Sequence, residues 1–266
     1  MALYESLAPI YDELFPADPA STSFLDSLAR AHAGPQRSLL DAGSASGSQV
    51  LDLARLGWRG LGIEPCLPML DLAWRKADAL GLGAGPKGSG SARFVVGDMR
   101  DCESIAGEER FDLLLCLGNT LPHLEGPAEV ESFLVSARRL AWPGAAIALQ
   151  LLNYSLAGPG YAFPELRAAG WTFRRRYEAA PLSPGRLRFL TELAPGEEAG
   201  PPGASAGPRG PALIDETPLS ALPPGQVAAA LAASGWSGTR LLSGWAGLPF
   251  EEGSDPYLLA VAFAAD

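Results

Sequence analysis

The sequence predicts an α/β protein built on a mostly parallel, seven-stranded sheet flanked by helices, with an antiparallel insertion late in the chain. Three observations predict it. Short apolar runs alternate with helix-spaced apolar residues from residue 38 to residue 152, the pattern of strand–helix–strand units. Runs such as Phe111-Asp112-Leu113-Leu114-Leu115-Cys116-Leu117 are almost continuously apolar, as strands covered by helices on both faces must be. Finally, the very small residues Ala42-Gly43-Ser44-Ala45-Ser46-Gly47 follow the first of these runs. Glycine reaches positive φ without a Cβ penalty, and small side chains let a ligand press against the backbone of such a turn.

Taken in order, an amphipathic N-terminal segment leads into a first strand ending Leu39-Leu40-Asp41. Residues 48–56 carry Val50, Leu51, Leu53 and Ala54 at helical spacing. A strand over 60–64, a helix over 67–80 and a Gly-rich loop over 81–91 follow. Strands at 93–96 and 111–117, a helix at 127–140 and a strand at 145–152 complete the alternation. The pattern then changes: 171–178 and 186–193 read as strands with no helix between them, an antiparallel excursion. Residues 194–211, dominated by Pro and Gly, read as a mobile loop within it. Regular order resumes with a helix at 224–233, a strand around 239–243 and a last strand at 257–264. The expected division is a core of residues 1–154 and 221–266 and an insertion of residues 155–220.

Composition sets the boundaries of function. A chain of 266 residues, 47% hydrophobic and 19% charged, can bury a sizeable core. A net charge of −10 argues against a phosphate-neutralising surface and hence against a nucleic-acid substrate. No apolar run reaches the roughly 20 residues that span a bilayer, and the N-terminal Met-Ala-Leu-Tyr-Glu-Ser-Leu lacks the basic and apolar regions of a signal peptide. Cys66, Cys102 and Cys116 lack metal-ligand spacing and read as buried reduced thiols. With His32 and His123 as the two histidines, no metal site is expected. Together these point to a soluble, cytoplasmic protein.

Four signals fall at the carboxyl ends of successive strands, where open α/β sheets bind ligands. They are the turn from Asp41 to Gly47, Glu64 closing the second strand, Gly97-Asp98-Met99 after the third, and Cys116-Leu117-Gly118-Asn119-Thr120-Leu121-Pro122-His123 after the fourth. Glu64 can accept from both hydroxyls of a ribose, and Asp98 from the exocyclic amine of an adenine. Singly, Asp41 fits a helix cap, Glu64 a surface carboxylate and Asp98 a turn former. Jointly, four independent turns have no reason to place these groups at strand ends in this order. A dinucleotide fingerprint is missing, because Ala45 and Ser48 stand where glycines are needed.

With these stretches in place, the chain resembles class I S-adenosylmethionine-dependent methyltransferases. The residues that carry the resemblance are Leu-Leu-Asp-Ala-Gly-Ser-Ala-Ser-Gly, Gly-Ile-Glu-Pro, Val-Val-Gly-Asp-Met-Arg-Asp and Phe-Asp-Leu-Leu-Leu-Cys-Leu-Gly-Asn-Thr-Leu-Pro-His-Leu. Within that family it looks similar to the small-molecule branch of glycine and sarcosine N-methyltransferase-like proteins, which carry a Tyr-Asp pair near the N-terminus (here Tyr11-Asp12). The resemblance implies a Rossmann-like fold, S-adenosyl-L-methionine as cofactor and a small-molecule methyl acceptor. It implies that Asp41, Gly43, Ser44, Ala45 and Gly47 cradle the methionine end of the cofactor, with Leu117, Gly118 and Asn119 facing it. It further implies that Glu64 and the adjoining Pro65 hold the ribose, that Met69 and Met99 flank the adenine, and that Asp98 takes its amine. The family often has glycine at the position of Ala45, which alanine can replace unless φ there must be positive.

Methyl transfer from a sulfonium is an in-line displacement, in which positioning is worth roughly 7–11 kcal/mol. A base is required only where the nucleophile must lose a proton. His123 is the candidate base, since it is the histidine beside the expected site; it fits equally a loop histidine bonding backbone. Tyr11 is placed to face the sulfonium or to pack the N-terminal helix. On the acceptor side, Asn119 and His123 belong to the segment after strand four. In the insertion, Arg175 and Arg176 are candidates to bind an anionic group of the acceptor, set against the plainer reading of a solvated strand face. Alternation sends Arg174 and Arg176 to one face and Arg175 to the other.

Overall fold

A computed structural model of the chain describes residues 2–32, 36–83, 90–196 and 211–265. Three N-terminal helices, α1 (Ala2–Leu7), α2 (Tyr11–Leu14) and α3 (Pro19–His32), precede the first strand. The alternating region then runs β1 (Ser38–Ala42), α4 (Ser48–Arg55), β2 (Arg59–Glu64), α5 (Leu67–Ala79), β3 (Ser91–Val96), α6 (Cys102–Ala106), β4 (Phe111–Cys116), α7 (Pro127–Arg139) and β5 (Ala141–Leu152). Four strands follow, β6 (Leu166–Ala168), β7 (Trp171–Ala179), β8 (Arg186–Pro195) and β9 (Leu213–Ser220), then α8 (Pro224–Ala233), β10 (Trp236–Leu242) and β11 (Tyr257–Ala264).

The main sheet has seven strands in the order β10-β11-β5-β4-β1-β2-β3. All neighbours in it are parallel except β11, which runs antiparallel to both β5 and β10. Strand order reverses across β1 and β4, so the crevice for a ligand opens at their carboxyl ends. The two faces of the sheet take alternate residues of each strand. Leu40, Leu114, Ile147 and Leu149 pack with Val130, Phe133 and Leu134 of α7 and Val227 and Leu231 of α8. Leu39, Leu113, Leu115, Ala146 and Ala148 pack with Leu25 and Leu28 of α3, Val50, Leu51 and Leu53 of α4, and Leu70 and Ala73 of α5. Both faces are therefore dry, which is why β1 and β4 are buried at every residue.

The second sheet is antiparallel, in the order β6-β7-β8-β9. Its inward residues Phe173 and Leu193 join Leu7, Ile10 and Leu14 of the N-terminal segment and Met69 of α5 in a third apolar cluster. The N-terminal segment is thus the filling between the two sheets. Several boundaries differ from expectation. Ala194 and Pro195 belong to β8, not to the loop expected from 194, and residues 197–210 of that loop lie outside the described residues, as do 84–89 of the loop expected over 81–91. β5 begins at Ala141 rather than 145, with a register irregularity against β4 at its start, because Pro143 and Gly144 interrupt the apolar run without ending the strand. β9 and the three-residue β6 are strands that sequence pattern does not announce.

Candidate active site

The carboxyl ends of β1, β2, β3 and β4 open into one cavity of about 880 Å³, roofed by the N-terminal helices and the second sheet. That volume lies toward the upper end of small-molecule sites, roughly 300–1,000 Å³. Tyr11, Asp41, Gly43, Ser44, Ala45, Glu64, Pro65, Met69, Asp98, Met99, Leu117, Gly118, His123 and Arg175 all border it. Gly47, Asn119 and Arg176 do not.

The floor is the turn after β1. The N–H groups of Gly43 and Ser44 both donate to the carbonyl of Ile63, at 2.8 and 3.0 Å, tying the turn to the end of β2. Gly43 has φ +88°, and a Cβ there would stand 2.4 Å from Thr120 Cγ2, so both conformation and space demand glycine. Ala45 also adopts a left-handed conformation, φ +46°, which is costly for alanine. It is held there by its N–H, which donates to Glu64 Oε2 at 3.0 Å. Positive φ, the one condition under which alanine is a poor substitute, is thus met, and strain is stored in the wall of the cavity. Gly47 turns away from the cavity. A Cβ on it would meet Phe94 Cζ at 2.5 Å and the Ala73 methyl at 2.9 Å, so this glycine permits α4 to pack on β3 and α5, and it does not border the cavity.

The carboxylates differ from one another in what they already hold. Asp41 Oδ1 and Ser44 Oγ are buried with no hydrogen-bond partner. Burial, and next the charge of Glu64, push the Asp41 carboxyl up to about 7. Glu64 accepts the N–H of Cys66 on Oε1 at 3.0 Å as well as that of Ala45. Burial raises its pKa, and these two backbone donors pull it back. Asp98 accepts the Arg100 N–H on Oδ1 and the Arg100 guanidinium on Oδ2, each at 2.9 Å, so it caps the 3-10 turn after β3 while bordering the cavity. Arg100 continues to Glu129 at 2.9 Å and to the His123 carbonyl at 3.2 Å, bracing the segment after β4.

That segment places its residues unequally. Leu117 and Gly118 face the cavity, and the Gly118 N–H donates to Gln150 Oε1 at 3.1 Å. Asn119, expected to meet both cofactor and acceptor, stands behind the wall, where its amide oxygen and amide nitrogen are both bonded within the protein. Its Oδ1 accepts the Leu152 N–H and the Tyr154 hydroxyl, both at 3.1 Å, and its Nδ2 donates to the Tyr177 hydroxyl at 3.2 Å. The His123 ring lies 6.3 Å from that of Tyr4, and burial lowers its pKa below the ordinary 6.5. Burial raises the phenol of Tyr11 and pushes that of Tyr4 up to about 12, so both stay neutral.

Alternation along β7 divides the arginines as expected, yet only one reaches the site. Arg176 pairs with Glu178 at 3.0 Å on the outer face, and Arg174 with Glu165 at 2.8 Å. Arg175 turns inward, its guanidinium over the rings of Phe163, Phe173 and Phe15 at 4.7, 5.3 and 5.4 Å. It donates to the Pro164 carbonyl at 3.3 Å, while its Nε is buried and unpartnered. Sequence reasoning missed Tyr4, Phe15, Thr120, Gln150, Phe163, Trp245 and Tyr257, which also line the cavity. One signal existed for Tyr257: it begins the strand that runs antiparallel to β5, so its amino end lies at the ligand-binding edge.

Comparison with known proteins agrees with this geometry. Residues 40–149 match the family described as Methyltransf_11, methyltransferase domain. No curated protein matches the sequence at a significant level. Among solved structures, the CcbJ methyltransferase from Streptomyces caelestis aligns at TM-score 0.75 and 23% identity, covering 99% of this chain and 98% of that one. CalS10, an amino pentose methyltransferase from Micromonospora echinaspora solved with S-adenosylmethionine bound, aligns at 0.68 and 22%, covering 99% and 97%. The sugar N-methyltransferase KedS8 from a Streptoalloteichus species aligns at 0.69 and 20%, covering 96% and 91%. At such identities these likenesses establish the fold. The chain therefore has a Rossmann-like methyltransferase fold, within which residues 40–149 match a methyltransferase domain. Among the described residues, no helix is long and apolar enough to cross a membrane, and no group of side chains is arranged to hold a metal.

Proposed function

We propose that the protein is an S-adenosylmethionine-dependent N-methyltransferase acting on an amine of a small molecule in the cytoplasm. The observation that carries this reading is that one cavity joins a nucleotide-type floor (Asp41, Gly43, Glu64, Met99) to a neutral imidazole and a partner-poor arginine. The residues fit the cofactor. Asp41 Oδ1 and Ser44 Oγ are buried polar atoms with no partner, and the Gly43–Ala45 backbone between and beside them borders the cavity. Asp41 and Ser44 would hold the amino-acid end, Glu64 the ribose, and Met69, Met99 and Asp98 the adenine. Bound there, S-adenosylmethionine supplies a methyl group activated by a sulfonium.

The chain's own residues then bind, orient and deprotonate the acceptor. An amine that arrives as an ammonium has no lone pair, so it must lose a proton before it attacks. His123, which burial keeps neutral, is placed to take that proton at its free ring nitrogen. Arg175 supports an acceptor that carries an anionic group beside its amine, because its buried Nε lacks a partner that a carboxylate or phosphate oxygen would supply. KedS8, a sugar N-methyltransferase, and CalS10, an amino pentose methyltransferase, support nitrogen over oxygen. The glycine and sarcosine branch is a special case of the same reading, with a carboxylate as the anion. In this arrangement residues 1–154 and 221–266 form the cofactor-binding core, and residues 155–220 cover the acceptor. The three buried free thiols accord with a reducing compartment.

Mass spectrometry after incubation with S-adenosylmethionine and a panel of amino sugars and amino acids tests the proposal. An amine gaining one methyl group is expected. His123→Gln should lower kcat by about 10²–10⁴-fold and abolish the fall in wild-type activity as pH drops through the lowered imidazole pKa. Methylation of hydroxyl acceptors alone, or cofactor binding with no product from any acceptor, would contradict it.

A further inference from the structure

A polar node runs along the small-residue turn: its Ser46 and Ser48 border the cavity, whereas its ion pair, Lys76 with Asp12, stands behind them. Lys76, on α5, donates to three oxygens: Asp12 Oδ2 at 2.7 Å, Ser48 Oγ at 2.8 Å and Ser46 Oγ at 3.1 Å. The three protons of its ammonium are therefore all used. Asp12, on α2, accepts in addition from Ser46 Oγ at 2.5 Å and Ser48 Oγ at 3.3 Å on its other oxygen. Three elements that are far apart in sequence meet at one ion pair: the N-terminal segment, the turn after β1, and α5.

The location gives the node its meaning. Ser46 lies between Ala45, whose strained backbone lines the cavity, and Gly47, which begins α4. Asp12 follows Tyr11, and the same segment supplies Tyr11, Leu14 and Phe15 to the cavity wall. α2 is only four residues long, too short to hold its own geometry. What fixes it to the core is the apolar packing of Leu14 and Tyr11 and, on the polar side, this node. A cofactor that presses on the Asp41–Ala45 backbone therefore acts on the same turn whose Ser46 and Ser48 hold Asp12.

We propose that Lys76, through Asp12, Ser46 and Ser48, is a positioning residue that ties the seating of Tyr11 and Phe15 to the state of the turn, so that cofactor binding orders the N-terminal wall of the acceptor site. Lys76 does not border the cavity. The inference rests on the cavity being the S-adenosylmethionine site.

Hydrogen exchange at residues 4–16, with and without saturating S-adenosylmethionine, reads the coupling directly, and calorimetry on the wild type serves as the control. In the wild type, the cofactor should slow exchange in this segment at least tenfold. In Lys76→Met and in Asp12→Asn that protection should be lost at saturation while cofactor still binds, and acceptor KM should rise about three- to tenfold with kcat for saturated enzyme falling less. Lys76→Arg, which keeps charge and several donors, should restore most of both. The Lys76→Met/Asp12→Asn double variant should be no worse than either single one. Full cofactor-induced protection in Lys76→Met, or strictly additive effects in the double variant, would overturn the proposal. Failure of the wild type to bind S-adenosylmethionine would instead strike the functional reading on which it rests.

Discussion

Asp41 concentrates the conflict between folding and binding at the scale of a single residue. Its carboxyl is 3% exposed and its Oδ1 has no partner. Raising the folded-state value from 3.8 to about 7 means that the folded chain holds this proton more tightly than the unfolded one. The ionised form therefore weighs against the fold above about pH 7, by up to about 4 kcal/mol, and the penalty is relieved as pH falls from about 7 toward 3.8. Asp41→Asn should accordingly raise the melting temperature at pH 8, by the equivalent of about 1–3 kcal/mol, and raise it less at pH 5, while weakening cofactor binding. Thermal melts at the two pH values check this; an equal gain at both would contradict it. Ala45 holds a second, smaller reserve of strain, stabilised through Glu64. The sequence made Asp41, Glu64 and Asp98 legible as neighbours around one cavity because parallel strands bring all their carboxyl ends to one edge. It misplaced Gly47, Asn119 and Arg176 for a physical reason: motif position says which loop a residue occupies, whereas neighbours distant in sequence decide where its side chain points. Phe94 claims the space at Gly47, two tyrosines claim the Asn119 amide, and Glu178 claims Arg176.

At the scale of elements, β7 links the acceptor side to the cofactor side. It carries Arg175 into the cavity, and two residues later Tyr177, on the same face, whose hydroxyl accepts from Asn119 and lies 3.2 Å from that of Tyr154. Asn119 has φ +66° and directly follows Gly118, which faces the cavity. Tyr177→Phe removes the acceptor of the Asn119 amide and leaves a part-buried donor unsatisfied, at a cost of about 1–3 kcal/mol. Denaturant unfolding should register that loss, and acceptor KM should rise more than cofactor KM; equal changes in the two would contradict the link. The elements themselves were legible where apolar periodicity is strong: α8 and β11 have the expected bounds, and β1, β2 and β4 shift by a residue or two at most. β9 was not, because Leu-Ile-Asp-Glu-Thr-Pro-Leu-Ser is polar and contains a proline. It is an edge strand, where proline and exposed side chains are tolerated, so it lacks the apolar alternation that marks an inner strand.

At the scale of the molecule, two sheets enclose one cavity, with the N-terminal helices wedged between them. The larger sheet supplies the floor through its switch in strand order, and the smaller one supplies Arg175 and part of the roof. The net charge of −10 leaves the cavity walls, not a basic exterior, to select the ligands. The fold was readable from β1 to β5 because its strand–helix alternation is local in sequence. The roof was not, because it is assembled from the first helices, β7 and the start of β11, which meet only in three dimensions. The central claim is that the floor of this cavity selects S-adenosylmethionine. Isothermal titration of the purified chain with S-adenosylmethionine, its demethylated product and NAD, in separate runs at one pH, tests it most directly. Saturable one-site binding of the first two, lost in Gly43→Val, and no heat from NAD are expected; binding of NAD alone would contradict this.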